Sequence, residues 1–296
     1  MNSIPMKQNS APYLRLLHAR TRVYWEAKRL QIIQLLFTIM LPILGGLAGL
    51  AWEGLRPYVA AGALFITLCD VAWLDRVQRA KLRLAAKISE QFDCELYELD
   101  WNKFAAGKQA DPETTEAAAR SYQGGDEKLL NWYPPVVGRA PLHIARVICQ
   151  RANLWYDSQL RRRFAKWLVV SATALLSLFV ALGVGADVKL LDFVATVLTP
   201  AAPVLVWALR ENFRQRDAAD AIDTLKAEAE SLFDAIKRGD CDDVCCSVKS
   251  REFQDAIYAR RVANPLVFPF MYELYRDEME KQMAAGAEEF MRGLGV

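Results

Sequence analysis

Apolar residues fall into four blocks separated by charged sequence: 30–52 (LQIIQLLFTIMLPILGGLAGLAW), 57–74 (PYVAAGALFITLCDVAWL), 167–186 (WLVVSATALLSLFVALGVGA) and 190–209 (LLDFVATVLTPAAPVLVWAL). Each is close to the roughly 20 residues that a helix needs to cross a bilayer. The links at 53–56 and 187–189 are so short that each pair of blocks must fold back as an antiparallel hairpin. The pattern predicts an all-α membrane protein with four transmembrane helices arranged as two hairpins. The remaining segments are an N-terminal helix (1–29), a central polar region (76–166) and a C-terminal helical region (210–296), with the hairpins at 30–75 and 167–209. One continuous helix is predicted from about 141 to 186, polar at first, then basic (RRRFAK), then wholly apolar.

Charge placement sets the orientation. Lysines and arginines crowd before the first block, after the second, before the third and after the fourth, whereas the hairpin turns carry only Arg56 and Lys189. Basic residues stay on the cytoplasmic side, so both termini and the central region are predicted to be cytoplasmic at a bacterial inner membrane. No cleavable signal peptide precedes the first block. A net charge of +2 argues against a DNA- or RNA-binding scaffold, which would be far more basic.

Within the polar segments, the alternation of Cys94, Leu96 and Leu99 predicts a short β element, or a tight loop, near 92–100. Asp111 followed by Pro112 marks a helix start. Ile222, Leu225, Ala229, Leu232 and Ile236 recur at steps of three and four, the signature of one buried helical face. A proline break at 264–269 separates the last two helices.

Three features of the apolar blocks bear on a pore or gate. Asp70 places a carboxylate at the inner end of the second block, either lining an interior path or reaching the interface. Pro200 and Pro203 remove backbone hydrogen bonds in the fourth block and predict a kink, either a hinge or simply a packing feature. Gly45 and Gly49 stand four apart and let a neighbouring helix approach, although glycine is common in membrane helices anyway. Six cysteines, none in C-x-x-C spacing, read as free thiols rather than a zinc site. No phosphate-loop, dinucleotide-binding, metalloprotease or nucleophile-elbow motif is present, and the chain does not read as an enzyme.

The chemistry that remains is a polar stripe. Arg146, Gln150, Asn153 and Asp157 are spaced four, three and four apart and share one helical face. Arg139, Arg151, Trp101, Asn102, Trp132, Tyr133, Trp155 and Tyr156 lie in the same central region. Guanidinium, amide and aromatic groups together suit a nucleotide; a solvated helix face with interfacial aromatics is the plainer alternative.

Several spaced segments resemble a known bacterial family, the SMODS- and SLOG-associating four-transmembrane effectors. They are NSIPMKQN and HARTRVYWEAK near the start, EQFDCELYELDWN after the second block, WYPP, and ARVICQRANLWYDSQLRRRF before the third. The resemblance covers nearly the whole chain and is weaker in the C-terminal region. It implies a membrane effector of antiphage defence. Such an effector senses a cyclic di- or oligonucleotide made by a neighbouring nucleotidyltransferase and disrupts the inner membrane as an oligomeric pore, arresting or killing the infected cell. The ligand is then regulatory, with no cofactor and no metal. Asp93, Trp101, Asn102, Arg146, Gln150, Arg151 and Asn153 lie in matching stretches and have suitable chemistry for the messenger. Two alternatives stay open: a channel or transporter gated by another signal, and a non-conducting scaffold.

Overall fold

The long predicted helix forms because nothing in its sequence stops it: no proline or glycine interrupts the run from Leu142 to Leu182. In the computed structural model, which describes residues 1–37, 54, 56–185, 189–194 and 198–295, it is continuous from Leu142 to Gly185. Its 44 residues span about 65 Å at 1.5 Å per residue. It is the one described helix long and apolar enough to cross a bilayer, and only 12% of its most apolar 18-residue stretch is buried in protein. Val170, Leu178 and Val184 point outward. An apolar surface left uncovered on a helix of this length is what a lipid environment requires.

The elements in chain order are α1 (Ile4–Lys7), α2 (Ala11–Leu35), α3 (Arg56–Cys69), a π turn (Asp70–Leu74), α4 (Asp75–Tyr97), α5 (Lys103–Ala106), α6 (Pro112–Arg120), α7 (Leu142–Gly185), α8 (Leu190–Phe193), α9 (Thr199–Arg238), α10 (Asp243–Ala263) and α11 (Pro269–Arg292). Most of the first apolar block, with Pro42, Gly45 and Gly49, lies outside the described residues.

Two antiparallel helix pairs make the frame. The first is α2 with α4: Lys81 pairs with Glu26 at 2.7 Å, Arg20 donates to the Ser89 hydroxyl at 2.9 Å, and the Tyr13 ring meets Phe92 edge-on. The second is α7 with α9. Arg151 pairs with Glu230 at 2.9 Å, Arg162 pairs with Asp223 at 2.7 Å, and the Asn212 side-chain amide donates to the Ala165 carbonyl at 2.7 Å. Leu154 and Ile222 are buried between the same two helices, beside Ile257 of α10. Three-and-four spacing along α9 thus marks its buried face, with Ile222 and Ala229 fully covered.

One core lies where α1, α2, α4 and the start of α7 meet, built from Leu17, Ile88, Phe92, Leu96, Tyr133 and Ile148. A second lies nearer the apolar end of α7, where Phe164 and Leu168 pack against Val267, Met271 and Met279. The chain between Asn264 and Phe268 turns there, and Pro269 opens α11, as the proline break predicts.

The expected β element at 92–100 is not formed. α4 continues through Tyr97 and ends at Glu98, a non-glycine residue in the left-handed region (φ 55°). Phe92, Asp93, Cys94, Leu96 and Tyr97 are all buried, and at this end of α4 only the narrow face of Gln91 and Glu95 reaches solvent. Buried Asp93 puts a charged residue on a covered face, so Phe92, Asp93, Cys94, Glu95 and Leu96 alternate apolar and polar by accident and imitate a strand. The left-handed turn is held by what surrounds it: the Glu98 carbonyl accepts from Arg146 at 3.0 Å, and its carboxylate pairs with Lys7 at 2.5 Å.

Candidate functional site

Most of the polar residues singled out in the sequence converge on one buried seam between α4, α7 and α10. Asp93, on the last turns of α4, is 1% exposed. Its carboxylate accepts from the Tyr133 hydroxyl at 2.7 Å, from Gln254 at 3.1 Å and from Arg261 at 2.6 Å. Gln150 is fully buried; its amide donates to the Ser250 carbonyl and to Gln254, and its own oxygen accepts from the Ser250 hydroxyl. Asn153, one turn further along α7, donates to the Tyr133 hydroxyl at 3.3 Å. Arg146 donates to the carbonyls of Tyr97 and Glu98 and to the Ser247 hydroxyl.

A second carboxylate, Glu90, joins the seam. It accepts from Gln254 at 2.8 Å and from Arg251 at 2.6 Å. Burial pushes its carboxyl above the usual range, and the two donors oppose that rise. Arg251 also pairs with Asp255, which in turn accepts from Asn102 at 2.8 Å. The stripe of α7 is therefore one continuous polar face, and what covers its first half is α10. Buried charges of this kind persist only when paired and hydrogen-bonded.

The other sequence candidates sit at the margins. Asn102 caps α5, its side-chain oxygen accepting from the backbone of Phe104 and Ala105. Loss of such a cap costs about 1 kcal/mol, so Asn102→Ala is expected to lower thermal stability by that order whether or not a ligand is present. A melting curve of the unliganded protein checks it. Trp101 donates from its indole to the Gly107 carbonyl at 2.8 Å and packs against Ala86, Ala106 and Tyr258. Arg151 lies apart from the seam, with its guanidinium over the Phe290 ring.

Asp70 opens the π turn between α3 and α4, and one of its carboxylate oxygens is buried without a hydrogen-bond partner among the described residues. Pro200 falls in the first turn of α9, where a missing N–H costs nothing, and Pro203 lies inside the helix. The free-thiol expectation is corrected at one place: Cys241 and Cys245 form a disulfide, their Cα atoms 5.6 Å apart across the start of α10. That separation is within the range a bridge requires. Cys246 stays a thiol, its sulfur 3.3 Å from that of Cys241.

Sequence reasoning did not single out Arg261, Gln254 or Ser250 from α10, nor the partnership of Arg20 and Lys28 on α2. Arg20 lies over the Trp132 ring at 4.4 Å and near Tyr24 at 5.3 Å. Lys28 approaches the Tyr272 ring of α11 at 5.9 Å, and Tyr272 lies 5.8 Å from Tyr156 of α7. These side chains are all partly exposed and line a crevice between α2 on one side and α7 with α11 on the other. Aromatic residues interleaved with arginine and lysine in the N-terminal stretch were the available signal.

Comparison with known proteins finds relatives over nearly the whole chain. A probable CBASS effector molecule of Bacillus cereus (strain VD146) is 25% identical over 284 residues, covering 94% of this chain and 94% of that protein. No solved structure matches the chain. The model of the SMODS-associating 4TM effector domain matches residues 2–290, and the chain belongs to that family.

Proposed function

We infer that this protein is an effector of bacterial antiphage defence. Its cytoplasmic region senses a cyclic nucleotide supplied by a partner nucleotidyltransferase, and its membrane helices then open an oligomeric pore in the inner membrane. The relative's name is that of a CBASS effector, and family membership over nearly the whole chain supports carrying the role across. In this reading four helices cross the inner membrane as two hairpins with both termini cytoplasmic, and no step is enzymatic.

The observation that carries the reading is the continuity of α7. One uninterrupted helix contributes Arg146, Gln150 and Asn153 to the polar head and then presents Val170, Leu178 and Val184 outward in its apolar half. A rigid helix shared by both parts transmits a shift in the head to the membrane without any further device. A single protomer with four thin helices encloses no wide channel, so the reading requires several copies.

The test is ion or dye release from liposomes that hold the purified protein, with and without a panel of cyclic di- and trinucleotides. Release triggered by one nucleotide is the expected result. Release without ligand that a nucleotide suppresses supports the same machine under inverted control. Verified insertion with no nucleotide effect in either direction would overturn the reading, and a scaffold or a differently gated channel would replace it.

A further inference from the structure

Among the described residues, every lysine or arginine of the head that is not exposed is matched by a carboxylate or a carbonyl, apart from Arg20 and Lys28; the other unmatched cations are exposed. Beside the open clefts on the surface, Lys87 donates to the Lys108 carbonyl at 2.9 Å and Arg292 pairs with Glu289 at 2.9 Å. The crevice between α2, α7 and α11 differs. Arg20 makes one hydrogen bond, to the neutral Ser89 hydroxyl, and among the described residues no carboxylate lies within ion-pair distance of it or of Lys28. The acidic groups that face the crevice are already taken: Asp157 by Arg161 at 3.0 Å, and Glu273 by Lys128. On α11, Arg276 adds a further cation over Tyr272, and its own partner is Glu280 at 2.7 Å.

Lys28 is partly exposed, yet protein surrounds it on most sides. Burial first, and then the charges of Arg20 and Arg161, pull its ammonium down to about 8. A lysine is not placed there to stabilise the fold, because an unmatched cation in such a place opposes folding. Nearby, the Tyr156 hydroxyl, beside that of Tyr272, is buried without a well-aligned hydrogen-bond partner. The crevice thus holds two unmatched cations steadied by aromatic rings, and a spare hydroxyl. All three are donors; among the described residues Lys28 and the Tyr156 hydroxyl have no acceptor, and Arg20 has only the neutral Ser89 hydroxyl.

We propose that this crevice is a binding site for a phosphodiester anion, with Arg20 and Lys28 as its cations and Tyr156 and Tyr272 as its polar wall. Arg20 lies over the Trp132 ring at 4.4 Å, which steadies a guanidinium whose planar fork suits bidentate contact with phosphate oxygens. Lys28, about two turns further along the same helix, supplies a point charge. Two sources carry this chemistry. A cyclic dinucleotide presents two phosphodiesters, matching two cations. An anionic phospholipid presents one, and Lys28 lies only two residues before the first apolar block begins at Leu30. Assigning the nucleotide rests on the function proposed above; the phosphodiester site itself does not.

The experiment uses the full-length protein in neutral detergent, as wild type, Lys28→Met and Lys28→Arg. Two quantities are read: binding of the labelled cyclic nucleotide panel, and the melting midpoint with and without phosphatidylglycerol or phosphatidylcholine. The expected result is that Lys28→Met binds the responsive nucleotide roughly 10–100-fold more weakly, the range for loss of a charge-assisted hydrogen bond. Lys28→Arg retains most of the affinity. Unliganded Lys28→Met melts higher than wild type, which a merely structural lysine would not do. Nucleotide binding that is intact in Lys28→Met overturns the site while leaving the sensing function standing. No nucleotide binding, with phosphatidylglycerol but not phosphatidylcholine raising the wild-type midpoint and not the Lys28→Met midpoint, keeps the phosphodiester site and assigns it to lipid. In that case the proposed sensing fails separately. Neither ligand distinguishing wild type from Lys28→Met overturns the proposal.

Discussion

Arg261→Ala is expected to destabilise the polar head by about 3–5 kcal/mol, the cost of leaving a buried carboxylate without its counter-charge. Asp93 is 1% exposed and loses its charged donor, keeping only Tyr133 and Gln254. The double variant Asp93→Asn with Arg261→Leu is expected to recover most of the loss, because neither charge then remains in the seam. Thermal or denaturant unfolding of the detergent-solubilised protein measures both. A single variant within about 1 kcal/mol of wild type would mean that the pair is solvated and the seam is not a closed network. If instead Arg261→Ala folded normally and lost only ligand response, Asp93 and Arg261 would belong to the sensing surface.

The second large effect concerns transmission. Lys166 is exposed at the end of the basic collar of α7, between the head and the apolar stretch. Proline at that position removes one helical hydrogen bond, clashes with the carbonyl of Arg162 and costs about 3 kcal/mol or more of helix continuity. Under the proposed function, Lys166→Pro is expected to bind the messenger within about twofold of wild type and to lose nearly all triggered release from liposomes. Triggered release unchanged in Lys166→Pro would show that the signal reaches the membrane by another path. Loss of binding together with release would show that the head itself had been disrupted.

The sequence carried much of this architecture, and the reasons for success and failure differ by element. α7 was legible from 141 to 186 because its hydrophobic pattern changes character without any breaking residue. The proline break before α11 was legible because proline acts locally. The end of α4 was not, since the buried charge of Asp93 disguises a covered face as a polar one and Glu98 supplies the left-handed turn that glycine would have announced. The stripe on α7 was placed on the correct face, but its partners were invisible. Gln150 meets Ser250 and Gln254, about a hundred residues away, and spacing along one helix carries no information about what covers it. The donors of the stripe are visible in the sequence, whereas the cover that α10 lays over them is not. Lys28 suffered the opposite error, counted only as one more basic residue before a span, when its unmatched position is what sets it apart.

The two antiparallel pairs, α2 with α4 and α7 with α9, have a mechanical consequence. Cross-links such as Arg151–Glu230 and Arg162–Asp223 oblige α7 and α9 to move as one beam, and Lys81–Glu26 does the same for α2 and α4. The buried seam through Arg146, Gln150 and Asp93 ties the two beams to each other along one side, so the freedom left to them is at the other side, where Lys28 and Tyr272 face each other across the crevice. Whatever occupies that gap acts as a shim. Its thickness sets the splay of the beams, and a change of an ångström there is multiplied along about 65 Å of α7 before it reaches the far end.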